Sequence, residues 1–170
     1  MQTQLCEFCL KSGMLCSKCQ EKVSSGEVND QYMKVARYLL DNENKFPDLQ
    51  KARLNGVFEV GGFLVLVVGR GDRNRFMDQA GRLTRDLGDE FRKRVLVIEE
   101  GQNDRGFLED LFDNQHIITI NIIWLPDGTT ETRVVLQGRR ARRLSKKRIN
   151  AMTEIAKQVR KMDLRVEYAY

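Results

Sequence analysis

Apolar residues recur along this chain with two periods, and the switches between them mark its elements. Past residue 28, Met33, Ala36, Leu39 and Leu40 fall at helical spacing, and Asn29 or Asp30 suits the cap. The helix ends over Asn42 to Phe46, before Pro47. Two strand-like runs follow, Lys51 to Val60 and Phe63 to Val68, joined by Gly61-Gly62, a pair that accepts the positive φ of a tight primed turn. The second run, Phe63-Leu64-Val65-Leu66-Val67-Val68, is apolar throughout, which predicts a strand buried on both faces. Beyond it, Phe76, Met77, Leu83 and Leu87 mark helical core positions. They predict a short helix, a tight link at Asp78-Gln79-Ala80-Gly81, a second helix to about Phe91, and a strand from Arg94 to Glu99.

The same order then returns. A helix at Phe107 to Phe112 precedes strands at Ile117 to Leu125 and Thr130 to Leu136, joined by the turn formers Pro126-Asp127-Gly128. A basic segment, Gly138 to Arg148, leads to a long helix from about Ile149 to Lys161 and a last strand at Leu164 to Tyr168. Gly62 and Gly128 lie 66 positions apart and Val95 and Leu164 lie 69 apart, so the pattern reads as two structural repeats of nearly equal length.

The first twenty residues stand outside this repeat. Cys6, Cys9, Cys16 and Cys19 form two Cys-x-x-Cys pairs and are the only cysteines of the chain. Each pair can place two thiolates on one small ion, and two pairs complete a tetrahedron, so a structural Zn²⁺ site is the direct expectation. Six residues, Leu10 to Leu15, separate the inner cysteines, a compact knuckle with Lys11, Ser12 and Gly13 at its turn. The opening residues lack the basic and apolar regions of a secretory leader, which points to a reducing compartment and against disulfides. An iron-sulfur cluster or free thiols are the alternatives to zinc. Four thiolates leave a metal no open position, so its expected role is structural and not catalytic.

Charge is lopsided along the 170 residues. From Arg133 onward there are 12 basic and 3 acidic residues, a net of +9, against −4 for everything before. A polyanion met by the C-terminal third is the expected partner. Arg139, Arg140, Arg142, Arg143, Lys146, Lys147 and Arg148 place seven cations and no acid in the eleven residues from Gly138. Like charges so close repel one another and destabilise a helix unless an anion arrives, whereas an ordinary solvated face mixes signs. Arg70, Arg73, Arg75 and Arg82 are candidates for extending this track onto the first repeat.

A unit of helix, strand, strand, helix, helix, strand, used twice in tandem, resembles the paired type II KH domains of the NusA transcription-factor family. The resemblance covers about Asn29 to Tyr170. It implies an α+β fold with α-β-β-α-α-β in each domain: a zinc knuckle over 1–27, a first KH-like domain over 28–103 and a second over 104–170. It further implies a Gly-x-x-Gly loop that clamps single-stranded nucleic acid by its backbone. The first such loop falls on Asp78-Gln79-Ala80-Gly81, keeping only the second glycine, with Gln79 and Gly81 as its contact candidates. The second falls on Ser145-Lys146-Lys147-Arg148, which has neither glycine but three cations, suited to phosphate contact with little base selectivity. Acidic Asp78 would repel phosphate, so the first unit is expected to act largely as scaffold. A competing register puts the first loop at Gly69-Arg70-Gly71-Asp72.

His116, the one histidine, has no partner pair and reads as structural; Trp124 and Phe63 sit in apolar strands and read as core; adjacent Glu109 and Asp110 point apart on a helix and complement its dipole. Nothing assembles a nucleophile, base and oxyanion donor, so no enzyme is expected. The expected protein is cytoplasmic and binds RNA, single-stranded or as ribosomal or transcript RNA, with neither membrane nor small-molecule substrate. What the resemblance implies is transcription elongation or termination, or ribosome-associated RNA handling. The alternative is a zinc-dependent protein-interaction adaptor on RNA polymerase or the ribosome, with degenerate KH units as scaffold.

Overall fold

Two short helices, α1 (Glu7–Ser12) and α2 (Ser17–Ser24), open the computed structural model, which describes every residue except Asn114, Arg140, Ala141 and Tyr170. The next helix, α3 (Asp30–Asp41), begins where the sequence places a cap: the Asn29 side chain accepts a hydrogen bond from the Tyr32 backbone N–H at 2.7 Å. Ala36, Leu39 and Leu40 are buried as the spacing requires, Tyr32 and Val35 join them, and Met33 is half-buried. After α3 the chain tightens into a 3-10 turn over Pro47–Lys51. The first strand, β1 (Leu54–Val60), therefore starts later than Lys51, because Pro47 presets the φ of a turn and the 3-10 hydrogen bonds run through to Ala52.

Gly61 and Gly62 have φ of 51° and 86°, the two positive values of a primed turn, and they join β1 to β2 (Phe63–Val68). Val67 is half-buried and the other five residues of β2 are buried, so the apolar run does sit in the middle of a covered sheet. That sheet has the order β1-β2-β3, with β3 (Arg94–Glu99) parallel to β2. Parallel strands need a crossover, supplied by α4 (Arg73–Phe91), which packs on β3. Asp78 to Gly81 break α4 with non-helical backbone, Gln79, Ala80 and Gly81 all lying at φ between 54° and 74°, so two helical stretches flank the link the sequence predicts.

The second half uses the same strand arrangement. Helix α5 (Asp104–Leu111), capped by Asn103, precedes β4 (His116–Trp124) and β5 (Thr130–Gln137); α6 (Lys146–Arg160) crosses to β6 (Leu164–Tyr168), and the sheet order is β4-β5-β6 with β4 antiparallel and β6 parallel to β5. Six α-helices and two three-stranded sheets make the described residues a mixed α and β protein.

The crossover from β5 to β6 differs from expectation. One α-helix, α6, is present there among the described residues, and it starts at Lys146, so Arg139, Arg142 and Arg143 precede the helix. Ser145 caps α6 by accepting from the Arg148 N–H at 3.3 Å, which puts Lys146, Lys147 and Arg148 in its first turn instead of in a free loop.

The chain divides into two compact units, Met1–Glu59 with Phe63–Gln102, and Val60–Gly62 with Asn103–Tyr170. In the first, Leu5, Cys9, Leu10 and Cys19 share one buried core with Val35, Leu39, Leu49, Leu54, Leu64, Leu66, Val97 and Leu87. The cysteine knuckle, read from sequence as its own segment over 1–27, is thus seated on the core of the first unit. In the second, the buried apolar residues come from α5 (Phe107, Leu108, Leu111), the sheet (Ile117, Val134, Leu136, Leu164) and α6 (Ala151, Met152, Ile155, Ala156).

The turn after β2 is closed by a buried carboxylate. Asp72 accepts from the Arg53 N–H at 3.0 Å, pairs with the Arg75 guanidinium, and donates its own N–H to the Gly69 carbonyl at 3.0 Å. Gly69-Arg70-Gly71-Asp72 is therefore the tie between β2 and the start of β1, a structural use of the competing register. Replacing Asp72 by Ala removes the acceptor of the part-buried Arg53 N–H and the partner of Arg75, and should cost about 1 kcal/mol in urea unfolding; a loss under about 0.3 kcal/mol would remove this tie from the account.

Candidate metal centre and basic segment

Cys6 and Cys16 each occupy the N-cap of a short helix, and Cys9 and Cys19 lie three residues on, inside α1 and α2. Three residues is nearly one helical turn, so both sulfurs of each pair face the same side. The four sulfurs all lie within 4.8 Å of one another, with Cys6 Sγ and Cys16 Sγ 4.0 Å apart. A tetrahedral zinc–thiolate site has sulfur–sulfur edges of about 3.8 Å, from metal–sulfur bonds near 2.3 Å. The cluster therefore fits a metal ion such as zinc with only a small contraction, and Cys9 and Cys19 are buried while Cys6 and Cys16 are exposed.

The pairs also support each other across the cluster. The Cys6 N–H donates to Cys19 Sγ and the Cys16 N–H donates to Cys9 Sγ, both at 3.3 Å. Such N–H donors stabilise sulfur as thiolate, the form a metal needs. The Cys19 N–H, aided by the Cys19 and Cys9 thiols, pushes the Cys16 thiol down to about 6. At Cys9 the Cys16 N–H is the largest influence and lowers the pKa, but burial and the neighbouring thiols override it, so the Cys9 thiol is raised. Burial raises Cys19 as well. Gly13, in the left-handed region at φ 77°, ends α1, with Lys11 and Ser12 as its last helical residues and not part of an open turn.

The basic segment is fastened by a residue that no motif marks. The Tyr168 hydroxyl, on β6, accepts from the Leu144 N–H at 2.8 Å and donates to Gln115 Oε1 at 3.3 Å. Its ring lies under the Arg143 guanidinium at 5.1 Å, and Arg143 Nε donates to the Gly138 carbonyl at 3.2 Å. A Cβ at Gly138 would come within 3.1 Å of that ring, tighter than an ordinary contact, so glycine lets the segment lie against Tyr168 without displacing it. The Arg142 N–H donates to the Arg139 carbonyl at 2.8 Å. Arg143 is therefore spent on anchoring. Arg139, Arg142, Lys146 and Lys147 are exposed and Arg148 is half-buried, and among the described residues none of these five forms an ion pair. Arg140 lies outside the described residues.

At the N-terminus of α6 the unpaired backbone N–H groups and the positive end of the helix dipole coincide with Lys146, Lys147 and Arg148, with no acidic residue in the first turn. Three cations there oppose the helix dipole, an arrangement that an anion relieves.

In the first unit the arginine candidates divide. Arg73 Nε donates to the Val97 carbonyl at 3.2 Å and Arg75 donates to the Lys51 carbonyl at 3.1 Å besides pairing with Asp72, so both are structural ties. Arg70 is exposed; Arg82 is exposed, lies 5.9 Å from the Phe46 ring centre and sits 3.9 Å from Asp86. Gln79 and Gly81 are in the link within α4, and the Gln79 side chain reaches the Lys45 carbonyl at 3.4 Å. Asp78 there is joined by Asp48, an acid that sequence reasoning passed over. The neighbouring Asp78 carboxyl pushes Asp48 up, while the hydrogen bond from Asp48 holds Asp78 down. A second carboxyl thus stands beside the link, brought there by the 3-10 turn that starts at Pro47.

Two other expectations change. Trp124, read as core, is 75% exposed, because it stands at the hairpin end of β4; Phe63 is buried as expected. Because α5 begins at Asp104, Glu109 and Asp110 lie in its last turn and do not complement its dipole; Asp110 is buried, while Glu109 is exposed and pairs with Arg105 at 3.0 Å. No helix of the described residues is long and apolar enough to cross a membrane.

No protein-family model matches this chain, and no curated protein is similar enough to match. Among solved structures, that of the protein APE1850 is similar, with a TM-score of 0.51 and 16% sequence identity over 76% of this chain and 96% of that one. At that identity the likeness speaks to the fold alone.

Titration of the reduced protein with Co²⁺ or Zn²⁺ should saturate at one ion per chain, with affinity rising with pH because the raised Cys9 and Cys19 thiols must lose their protons to bind. Cys9→Ser should abolish tight binding; stoichiometric binding by that variant would contradict a four-sulfur site.

Proposed function

We propose that this is an RNA-binding protein of two KH-like units stapled by a zinc knuckle, acting in the cytoplasm in transcription elongation or termination or in ribosome-associated RNA handling. The observation that carries this reading is the set of exposed cations from the end of β5 into the first turn of α6 that form no ion pair among the described residues, on a segment that Tyr168 fastens at Arg143 and Leu144. Like charges are normally dispersed or paired in a protein that works alone, and a fastened cationic segment over a helix N-terminus carries the charge that a nucleic-acid backbone would neutralise. The strand order repeated in both halves, with a parallel pair in each, supports the KH-like reading. In the first unit the link Gln79-Ala80-Gly81 offers consecutive N–H groups in left-handed backbone, a shape able to cradle an anion, but Asp48 and Asp78 beside it oppose phosphate. The second unit is therefore the principal RNA contact and the first is largely scaffold.

Zinc, held by Cys6, Cys9, Cys16 and Cys19, would act as a staple: four thiolates close its coordination, and the donor set and tetrahedral spacing suit it better than harder cations. No catalytic step is assigned.

A second reading, an adaptor docked on RNA polymerase or the ribosome, is favoured by Phe8 and Met14, each 75% exposed on the cysteine knuckle. Fluorescence anisotropy of labelled oligoribonucleotides, with salt varied from about 50 to 200 mM, separates the two. Changing Arg139, Arg142, Lys146 and Lys147 to Ala should weaken binding more than roughly tenfold and reduce the log–log salt slope by about 3. Undiminished binding by this variant, or no binding by the parent at low salt, would place the adaptor first.

A further inference from the structure

The described residues expose five large apolar side chains, and three of them belong to one strand: Ile118, Ile122 and Trp124 of β4 are 47%, 59% and 75% exposed. The register explains why. Ile120 stands opposite fully buried Val134, Ile122 opposite Thr132 and Trp124 opposite Thr130, so the three share the sheet face that is buried at Ile117 and Leu136. Toward the hairpin tip that face loses its cover while the residues that β4 places on it stay apolar. A bulge between Ile117 and Thr119 shifts Ile118 out of the alternation.

β4 is also the edge of the sheet β4-β5-β6, with no strand on its outer side among the described residues. Edge strands are ordinarily guarded by Lys, by proline or by short length. β4 has nine residues, and from Ile117 to Leu125 there is no charged residue and no proline. The bulge is its one guard, and it leaves Thr119 to Trp124 regular.

We propose that β4 is the contact strand of a homodimer, in which two copies pair edge to edge and antiparallel about a two-fold axis at Asn121, making one six-stranded sheet. This register places Asn121 opposite its own copy, Ile120 opposite Ile122 and Thr119 opposite Ile123, all within the stretch that the bulge leaves regular. Apolar side chains then face one another on one side of the sheet, and the two Asn121 amides can bond to each other on the other side. The contact is isologous, as a closed dimer requires. Charge selects this strand too. Each copy carries a formal charge of +5, so an approach through the basic segments is repulsive, whereas a strand without charge lets two cationic copies meet. Covering Ile122 and Trp124 on both copies, with Ile118 beside them, removes at most roughly 800 Å², below the roughly 1,200 Å² of stable specific interfaces, so a weak dimer that dissociates in the micromolar range is expected.

The chain has a single tryptophan, Trp124, which makes its emission a direct probe of the contact. Sedimentation equilibrium of the metal-loaded full chain, from about 1 to 200 µM, should show mass rising from monomer to dimer, with tryptophan emission moving to the blue over the same range. Ile122→Lys and Asn121→Lys should each raise the dissociation constant at least roughly tenfold, with thermal unfolding unchanged because both positions are exposed. A parent chain monomeric throughout, or a dimer of unchanged affinity in both variants, overturns the proposal. So does a fixed solvent-exposed emission that responds only when an oligoribonucleotide is added, which would assign Trp124 to base stacking instead.

Discussion

Two parallel strands cannot be joined by a tight turn, and that constraint shapes both halves of this protein. In each sheet the middle strand pairs in parallel with the strand that follows it, β2 with β3 and β5 with β6, so the chain must travel the length of the sheet before it can pair again. The crossover has to be long and helical, and it must begin just past the end of the middle strand. In the first unit it is α4, broken at Asp78 to Gly81; in the second it is a fastened basic segment followed by α6. The residues with chemical potential collect at these two places because the crossover exposes a helix start or a helix break there, while the rest of its length is committed to covering the sheet.

The two crossovers have diverged in charge more than in position. Asp48 and Asp78 make the first link acidic, and Arg73 and Arg75 of the same region are consumed by hydrogen bonds within the unit. The second gathers cations and anchors one of them, Arg143, on Tyr168, so that its neighbours stand out from a fixed backbone. Pre-ordering of this kind lowers the entropy lost on binding. The cysteine knuckle is arranged on the same principle: Cys9 and Cys19 are part of the first unit's core, and their sulfurs receive N–H groups from the opposite pair. A metal there would fix an already assembled cluster.

Much of this was legible in the sequence where one local rule was sufficient. Gly61-Gly62 fixed the hairpin, Asn29 the start of α3, the run from Phe63 to Val68 the central strand, and the cysteine spacing the four-sulfur cluster. What escaped depended on tertiary neighbours. Trp124 lies on the core-facing side of its strand, as its pattern says, but beyond the reach of the helices that cover that side. The roles of Arg73 and Arg75 follow from carbonyls distant in sequence, at Val97 and Lys51, and Tyr168 touches the basic segment only through the pairing of β6. The 3-10 turn at Pro47–Lys51 and the single described helix after β5 replaced a strand end and a helix because capping and turn hydrogen bonds outweighed periodicity over so few residues.

The central claim is that RNA meets this protein on the segment fastened by Tyr168. Amide chemical-shift mapping of the isotope-labelled, metal-loaded chain with a short single-stranded oligoribonucleotide tests it most directly. The account predicts shifts concentrated on residues 138–148, including the first turn of α6, with little change at Asp78 to Gly81. Shifts confined to the cysteine knuckle, or none at concentrations that saturate the basic segment's expected contacts, would contradict it.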